Sequence, residues 1–470
     1  MAGHFFELHK VTDFAPGIFE NTAVENGSIQ LGRRAGRHAE RGVYTSVAFH
    51  SEAFFSLMPS WNADTPPGTT VEMQVRLSVE GKWSRWFSFG VWSPYIDHAT
   101  PAPETGDLAQ VERGTLSVLD GMPAATMAQL RVVLATEDTQ HSPRVYRLAV
   151  ATNAIKQLGQ GAPAFARVLE LPAYSCLNRD PAIAGRNASL TSLTMLMNRW
   201  GRDLLPEEVA RLVYDFGAGH YGNLSFLCAA AGVYGFACTV TYAGLGALRR
   251  EIWQGRALGA RVRYRAPGLA EDGAPEAGAG ALLPVLEGAT HSSSGHLVAV
   301  CGFVQRENQE YVVIHDPMAP ASAAVRREIP LSRFREIYTG IALFLQPGPR
   351  GGGTDAPRRR HASIVFEEGT LRMLDEAGEE LVPARLADGS LKPATLCYTL
   401  SDGVAYASAA QRKFYYPGLD TGHQVRFDAT ATAGNKLTLY LIGPRGQSWV
   451  AEKLPPLPEA LSDDQHNKEA

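Results

Sequence analysis

Residues 187–201, "NASLTSLTMLMNRWG", decide how the chain is read. Leu190, Leu193, Leu196, Met197 and Trp200 return at three- and four-residue spacing, so the segment reads as a helix with one apolar stripe. Asn187 and Ser189 are both N-cap candidates, and Gly201 is a stop signal. A buried helix whose N-terminus opens into a cleft favours a nucleophile, because its free N–H groups and dipole stabilise an anion there. The residue at this tip is Ala188.

At 470 residues the chain is too long for one compact core, and roughly two to four domains are expected. A formal net charge of −4 gives no reason to expect nucleic acid or an anionic membrane as partner. No run approaches the roughly 20 apolar residues that a bilayer crossing needs. The start, "MAGHFFELHKVTDFAPG", has no basic stretch followed by an apolar one, so the expected location is the cytoplasm, with export by another route or from a different start left open. Five cysteines (Cys176, Cys228, Cys238, Cys301 and Cys397) without a CxxC pair suit a reducing compartment or buried thiols rather than a disulfide framework.

Residues 1–155 read as a β-sandwich. "TTVEMQVRLSVEGKW" alternates, with Val71, Met73, Val75, Leu77 and Val79 on one face and a turn at Glu80-Gly81. The aromatic run Trp83, Trp86, Phe87, Phe89 and Trp92 follows; it either fills the sandwich core and one edge or stacks carbohydrate. Residues 165–348 change texture: helical patterns first, then "RALGARVRY", "GHLVAVCGFV", "EYVVIHDP" and "IALFLQP" as strands, which predicts an α+β domain. "PGLAEDGAPEAGAGALLP" is read as a surface loop inserted in it. Residues 349–361 read as a linker, 362–453 as a smaller β domain and 454–470 as a disordered tail.

The middle block carries the chemistry. His296 opens an apolar strand just after Gly295, and Asp316 closes another before Pro317. On adjacent antiparallel strands the start of one lies beside the end of the next, so the two residues are expected at one rim of a sheet. A His held by a carboxylate is the base and orienter of a nucleophilic triad, although such a pair is also an ordinary structural feature. A metal site built from His291, His296, His315 and Asp316 is disfavoured, because His315 and Asp316 point to opposite faces of their strand. No cofactor is expected.

The segments "LPAYSC", "NASLTSLTMLMNRWG", "YGNLSFLCAAAGVYGF", "GHLVAVCGFV" and "HDPMAPASAAVRREIPLSRFREIY", in this order, resemble the bacteriocin-processing, double-glycine leader peptidases, a papain-fold group known as cysteine peptidase family thirty-nine. "PGTTVEMQVRLSVEGKWSRWFSFGVWS" is similar to the β-rich region that precedes this domain in many bacterial members. The resemblance implies a papain-like fold with a Cys nucleophile at the first helix, a His, an Asp and an upstream oxyanion-stabilising Gln. Residue by residue, the His falls on His296 and the Asp on Asp316. The nucleophile position falls on Ala188 and the Gln on Cys176.

Alanine has no lone pair with which to attack a carbonyl, and loss of a nucleophile elsewhere costs on the order of a million-fold. Three readings follow. The first is a non-catalytic relative that binds a peptide or protein ligand in the middle-domain cleft. The second is a hydrolase using Cys176 with His296 and Asp316. The third is a carbohydrate or cell-envelope binder led by the Trp-rich N-terminal block. Ser189 is a weaker nucleophile candidate, since one step along a helix turns a side chain by about 100°. Asn223 reads as the N-cap of the helix that begins at Leu224.

Overall fold

The computed structural model describes residues 4–154, 164–177, 179, 183–202, 204–268 and 283–348, and beyond these the backbone of strands between Arg360 and Ala451. The predicted inserted loop, the linker and the tail lie wholly or largely outside the described residues.

The N-terminal part is built from two antiparallel sheets, one eight-stranded and one seven-stranded. In the second sheet Thr69–Val79 pairs with Ala125–Thr136 along its whole length, from Thr69 opposite Thr136 to Val79 opposite Ala125. Val71, Met73, Val75, Leu77 and Val79 are all at most 3% exposed, so the alternation read from the sequence is the buried face. Glu80 and Gly81 both take positive φ (49° and 80°), the backbone of a two-residue hairpin turn that matches strand twist. Trp61 and Trp92 are buried. Trp83 and Trp86 are half-buried, with the guanidinium of Arg76 4.6 Å from both ring centres and that of Arg131 4.5 Å from Trp86. A sugar would compete with these cations for the rings.

The middle part begins with three helices, Ala188–Asn198, Pro206–Val213 and Leu224–Val233. A seven-stranded antiparallel sheet follows, in the order Phe236–Tyr242, Tyr338–Pro347, Leu258–Tyr264, Ser293–Arg306, Gln309–His315, Arg326–Pro330, with Arg167–Val168 pairing on Ser293–Arg306. Two helices that the pattern reading did not predict, Leu245–Trp253 and Leu331–Ile337, sit between strands.

The first helix differs from its expected amphipathic form. Every residue from Ala188 to Met197 is buried, including Ser189, Thr191, Ser192 and Thr194, whereas Trp200 lies past the helix end and is 36% exposed. Small hydroxyl side chains let this helix sit directly on the sheet. Ser192 Oγ donates to Leu297 O at 2.7 Å, and Leu297 N donates to Ser189 Oγ at 3.3 Å. Ser189 is therefore a bolt to the strand and not an N-cap. Asn187 occupies the N-cap position, but its side chain makes no capping bond.

The two parts share one buried apolar cluster. Strand Ser56–Asp64, buried almost throughout, lies against helix Leu224–Val233 and strand Phe236–Tyr242. Asn62 reads both of those elements: its Nδ2 donates to Cys228 O and Cys238 O at 2.9 and 3.1 Å, and its Oδ1 accepts from Cys238 N at 3.1 Å. Gly232 is required at this crossing, because a Cβ there would stand 2.9 Å from Asn62 Cβ. Beyond residue 348 the described strands pair antiparallel, Ser363–Glu367 with Thr370–Leu374, Gln411–Phe414 with Val425–Asp428, and Thr395–Leu400 with Leu437–Ile442. The last is extended by Ser448–Ala451, antiparallel to Leu437–Ile442, and then by Arg360–His361, parallel to Ser448–Ala451.

Candidate active site

His296 and Asp316 meet because their strands run antiparallel, with Ala299 opposite His315. Gly295 (φ 156°) admits the Arg261 guanidinium, whose Nε would lie 2.7 Å from any Cβ at that position. His296 Nε2 is 3.1 Å from Asp316 Oδ1. Both residues are buried, at 6% and 1% exposure. Tyr264, its ring centre 5.5 Å from the imidazole, donates its hydroxyl to Asp316 Oδ2 at 3.1 Å. Arg327 reaches the same oxygen at 3.2 Å, and Met318 N donates to Oδ1 at 3.0 Å.

Burial alone would raise the Asp316 carboxyl. The hydrogen bond and charge of His296, the Met318 amide and Arg327 outweigh it and hold the group at about 2. Asp316 is thus an anion at neutral pH, and its Oδ1 accepts a hydrogen bond from His296 Nε2, which fixes the ring. Burial and the neighbouring Asp316 push the Tyr264 hydroxyl up, so it stays a donor.

The first helix is fastened to the strand of His296 by Ser189 and Leu297; the residues immediately before that contact are Ala188 on the helix and His296 on the strand. Several polar atoms of these two elements and of Asn187 are buried without a hydrogen-bond partner: His296 Nδ1, both Asn187 side-chain atoms and Thr191 Oγ1. Asn187 and Thr191 have no exposed surface at all.

Cys176 lies in a different setting. It has no exposed surface, its N donates to Pro317 O at 2.8 Å and its O accepts from Gly185 N at 3.0 Å. Its thiol is 3.6 Å from Met318 Sδ. Burial, and then the Asp316 charge, push that thiol up to about 12. The remaining sequence candidates do not join the site: His315 Nδ1 pairs with Pro172 O at 3.0 Å, and half-buried His291 pairs with Thr290 Oγ1 at 2.9 Å. Among the described residues no group of three or more His, Cys, Asp or Glu is placed to hold a metal ion, and no helix is long and apolar enough to cross a membrane. Asn223 is an N-cap as expected, accepting from Ser225 N and Phe226 N at 3.1 and 3.2 Å. Tyr264 and Arg327, which hold Asp316, were not singled out by sequence reasoning, and no spacing signal marks them.

The His of a buried Asp–His pair thus stands on the strand to which the first helix is bonded near its N-terminus. Residues 4–153 match the model described as peptidase C39 N-terminal domain, and residues 169–342 match the Peptidase_C39 like family. Both matches support the peptidase C39 family. No curated protein matches the chain. Among solved structures, it is similar to TmCBM61 in complex with β-1,4-galactotriose (7% identity, TM-score 0.18, 32% of this chain and 88% of that one). It is also similar to metal-free lectin I-B4 from Griffonia simplicifolia (10%, TM-score 0.16, 32% and 99%). A third is the Clostridium thermocellum xylanase 10B CBM22-1–GH10 modules with xylohexaose (13%, TM-score 0.16, 35% and 28%). Likenesses this slight establish neither fold nor ligand.

Proposed function

We propose that the middle part is a papain-like domain that binds a peptide or protein segment in its cleft and does not cleave it by a thiol mechanism. The observation that carries this reading is the buried His296 Nδ1 without a partner, its ring held by Asp316, on a strand that bonds the first helix one residue past Ala188. Base and orienter are present; the atom they would activate is missing. Cys176 does not replace it, because a thiol at about 12, packed on a thioether, is almost entirely protonated at neutral pH.

The test is alkylation by iodoacetamide with peptide mass spectrometry, on the natural chain and on Ala188→Cys. In the natural chain Cys176 is expected to react at pH 7 roughly a thousandfold more slowly than an ordinary thiol, given a reference near 8.5. Ala188→Cys is expected to create the fastest-reacting cysteine in the protein, and His296→Ala in that background to slow it at least tenfold. Fast alkylation of Cys176 that depends on His296, or peptide hydrolysis by the natural chain, would establish the displaced-nucleophile hydrolase instead. If the thiol introduced by Ala188→Cys is inert, the helix tip is not a nucleophile seat.

A further inference from the structure

Cys176, Cys228, Cys238 and Cys301 are all buried as free thiols. Two of them pack against other groups: Cys176 on Met318 Sδ, and Cys301, whose Sγ donates to Val313 O at 3.5 Å. The other two have each other. Cys238 Sγ lies 3.5 Å from Cys228 Sγ, and neither residue has any exposed surface. Among the described residues no third His, Cys, Asp or Glu joins them in a metal-binding group.

The backbone holds this approach in place. Cys228 belongs to the helix Leu224–Val233 and Cys238 to the strand Phe236–Tyr242, ten positions further on. The turn between them is tight, with Gly235 N donating to Gly232 O at 2.9 Å. Asn62 bonds the carbonyl of Cys228 and both the N–H and the carbonyl of Cys238, so one side chain from the N-terminal part fixes the spacing of the two cysteine backbones. A disulfide needs its sulfurs about 2.05 Å apart. The closure of about 1.5 Å is shared by the two side chains turning about χ1, while Asn62 keeps the backbones where they are.

We propose that Cys228 and Cys238 are a disulfide site: in the presence of a small-molecule disulfide they join, stapling the helix to the strand where the N-terminal and middle parts meet.

The thiolate of one cysteine attacks a sulfur of the small disulfide, breaks its S–S bond and releases one thiol. The thiolate of the other attacks the protein sulfur of the mixed disulfide and releases the second thiol. The two cysteines lose two protons and two electrons, and the small disulfide takes them up as two thiols. Burial, and then Cys228, push the Cys238 thiol well up, so the closed core holds no thiolate and exchange takes place while the chain folds or opens.

The test incubates the full chain with oxidised and reduced glutathione at graded ratios, in urea just below the unfolding midpoint so that the pair opens transiently. The chain is then denatured, alkylated with iodoacetamide and digested with trypsin. Residues 212–249 form one tryptic peptide that carries both cysteines and no other. As the oxidant ratio rises, this peptide is expected to pass from a doubly labelled form to an unlabelled one about 2 Da lighter than its dithiol. Cys176, Cys301 and Cys397 should keep their labels, and Cys228→Ala should abolish the change. Returned to buffer, the oxidised chain is expected to melt about 4 °C above the reduced one. Double labelling at every ratio overturns the site, as does a lasting bond from either cysteine to glutathione or to another cysteine. An oxidised chain that melts below the reduced one also overturns it, because the bond then strains the core.

Discussion

At the scale of the residue, Asp316 concentrates the electrostatics of the site: one fully buried carboxylate serves His296, Tyr264, Arg327 and a backbone amide. Its carboxyl is held at about 2, below an unfolded value near 3.9. A depressed acid adds stability above its unfolded value and loses it as pH falls through the folded one. The contribution is therefore complete above about pH 5, worth about 2–3 kcal/mol, mostly lost by about pH 2 and gone near pH 1. Urea melts between pH 2 and pH 6 should show this loss in the natural chain, and Asp316→Asn should flatten it. Parallel curves for the two proteins would mean the carboxyl is not held. Asp316→Ala should cost more, about 3–5 kcal/mol at neutral pH, since it strands the Arg327 charge. His296 and Asp316 were legible in the sequence because strand polarity dictates which strand ends are neighbours. Tyr264, 52 residues before Asp316, was not, because nothing local distinguishes it from any strand-ending tyrosine.

At the scale of the element, caps proved more readable than faces. Asn223 caps the helix Leu224–Val233 and also donates to Asp215 Oδ2 and Thr100 Oγ1, each at 2.8 Å. Asn223→Ala is expected to lower stability by about 2 kcal/mol, the upper end for a cap, as a shift in urea midpoint with an unchanged slope. A shift within a few tenths of a kcal/mol would show that Asp215 and Thr100 hold the turn without it. The first helix was read correctly as a helix and wrongly as amphipathic. Its serines and threonines look solvent-facing in a hydropathy pattern, yet Ser189 and Ser192 are spent on the backbone of Leu297. The helices Leu245–Trp253 and Leu331–Ile337 were missed because they run for only nine and seven residues, too few for a period to stand out.

Across the whole molecule, the N-terminal sheets and the middle domain meet through buried polar groups as well as apolar ones. Ser225 Oγ donates to Pro59 O at 2.7 Å, and Val240 N donates to Ser60 Oγ at 3.3 Å, both just before Asn62 on the same strand. Asn62→Leu would leave two carbonyls and one amide without their partner; at about 1–3 kcal/mol for each stranded group, the loss should exceed about 3 kcal/mol. Calorimetry of the natural chain is expected to melt residues 4–348 in one transition, and Asn62→Leu to lower it or split it in two. Separate melting of the two parts in the natural chain would show that the joint is not cooperative.

The sequence by itself determined the order of the blocks, the polarity of the strands, the alternation of the N-terminal sheet and the absence of a nucleophile at residue 188. All of these are properties of residue type and spacing within a few turns of chain. Only the tertiary structure decided which side of His296 faces the carboxylate, that Cys176 is packed on Met318, that Asn187 and Thr191 are left without partners, and that Asn62 bridges two domains. These depend on contacts between residues far apart in the chain. Burial sets their energies, and a polar side chain gains or costs free energy according to a neighbour that no local pattern names.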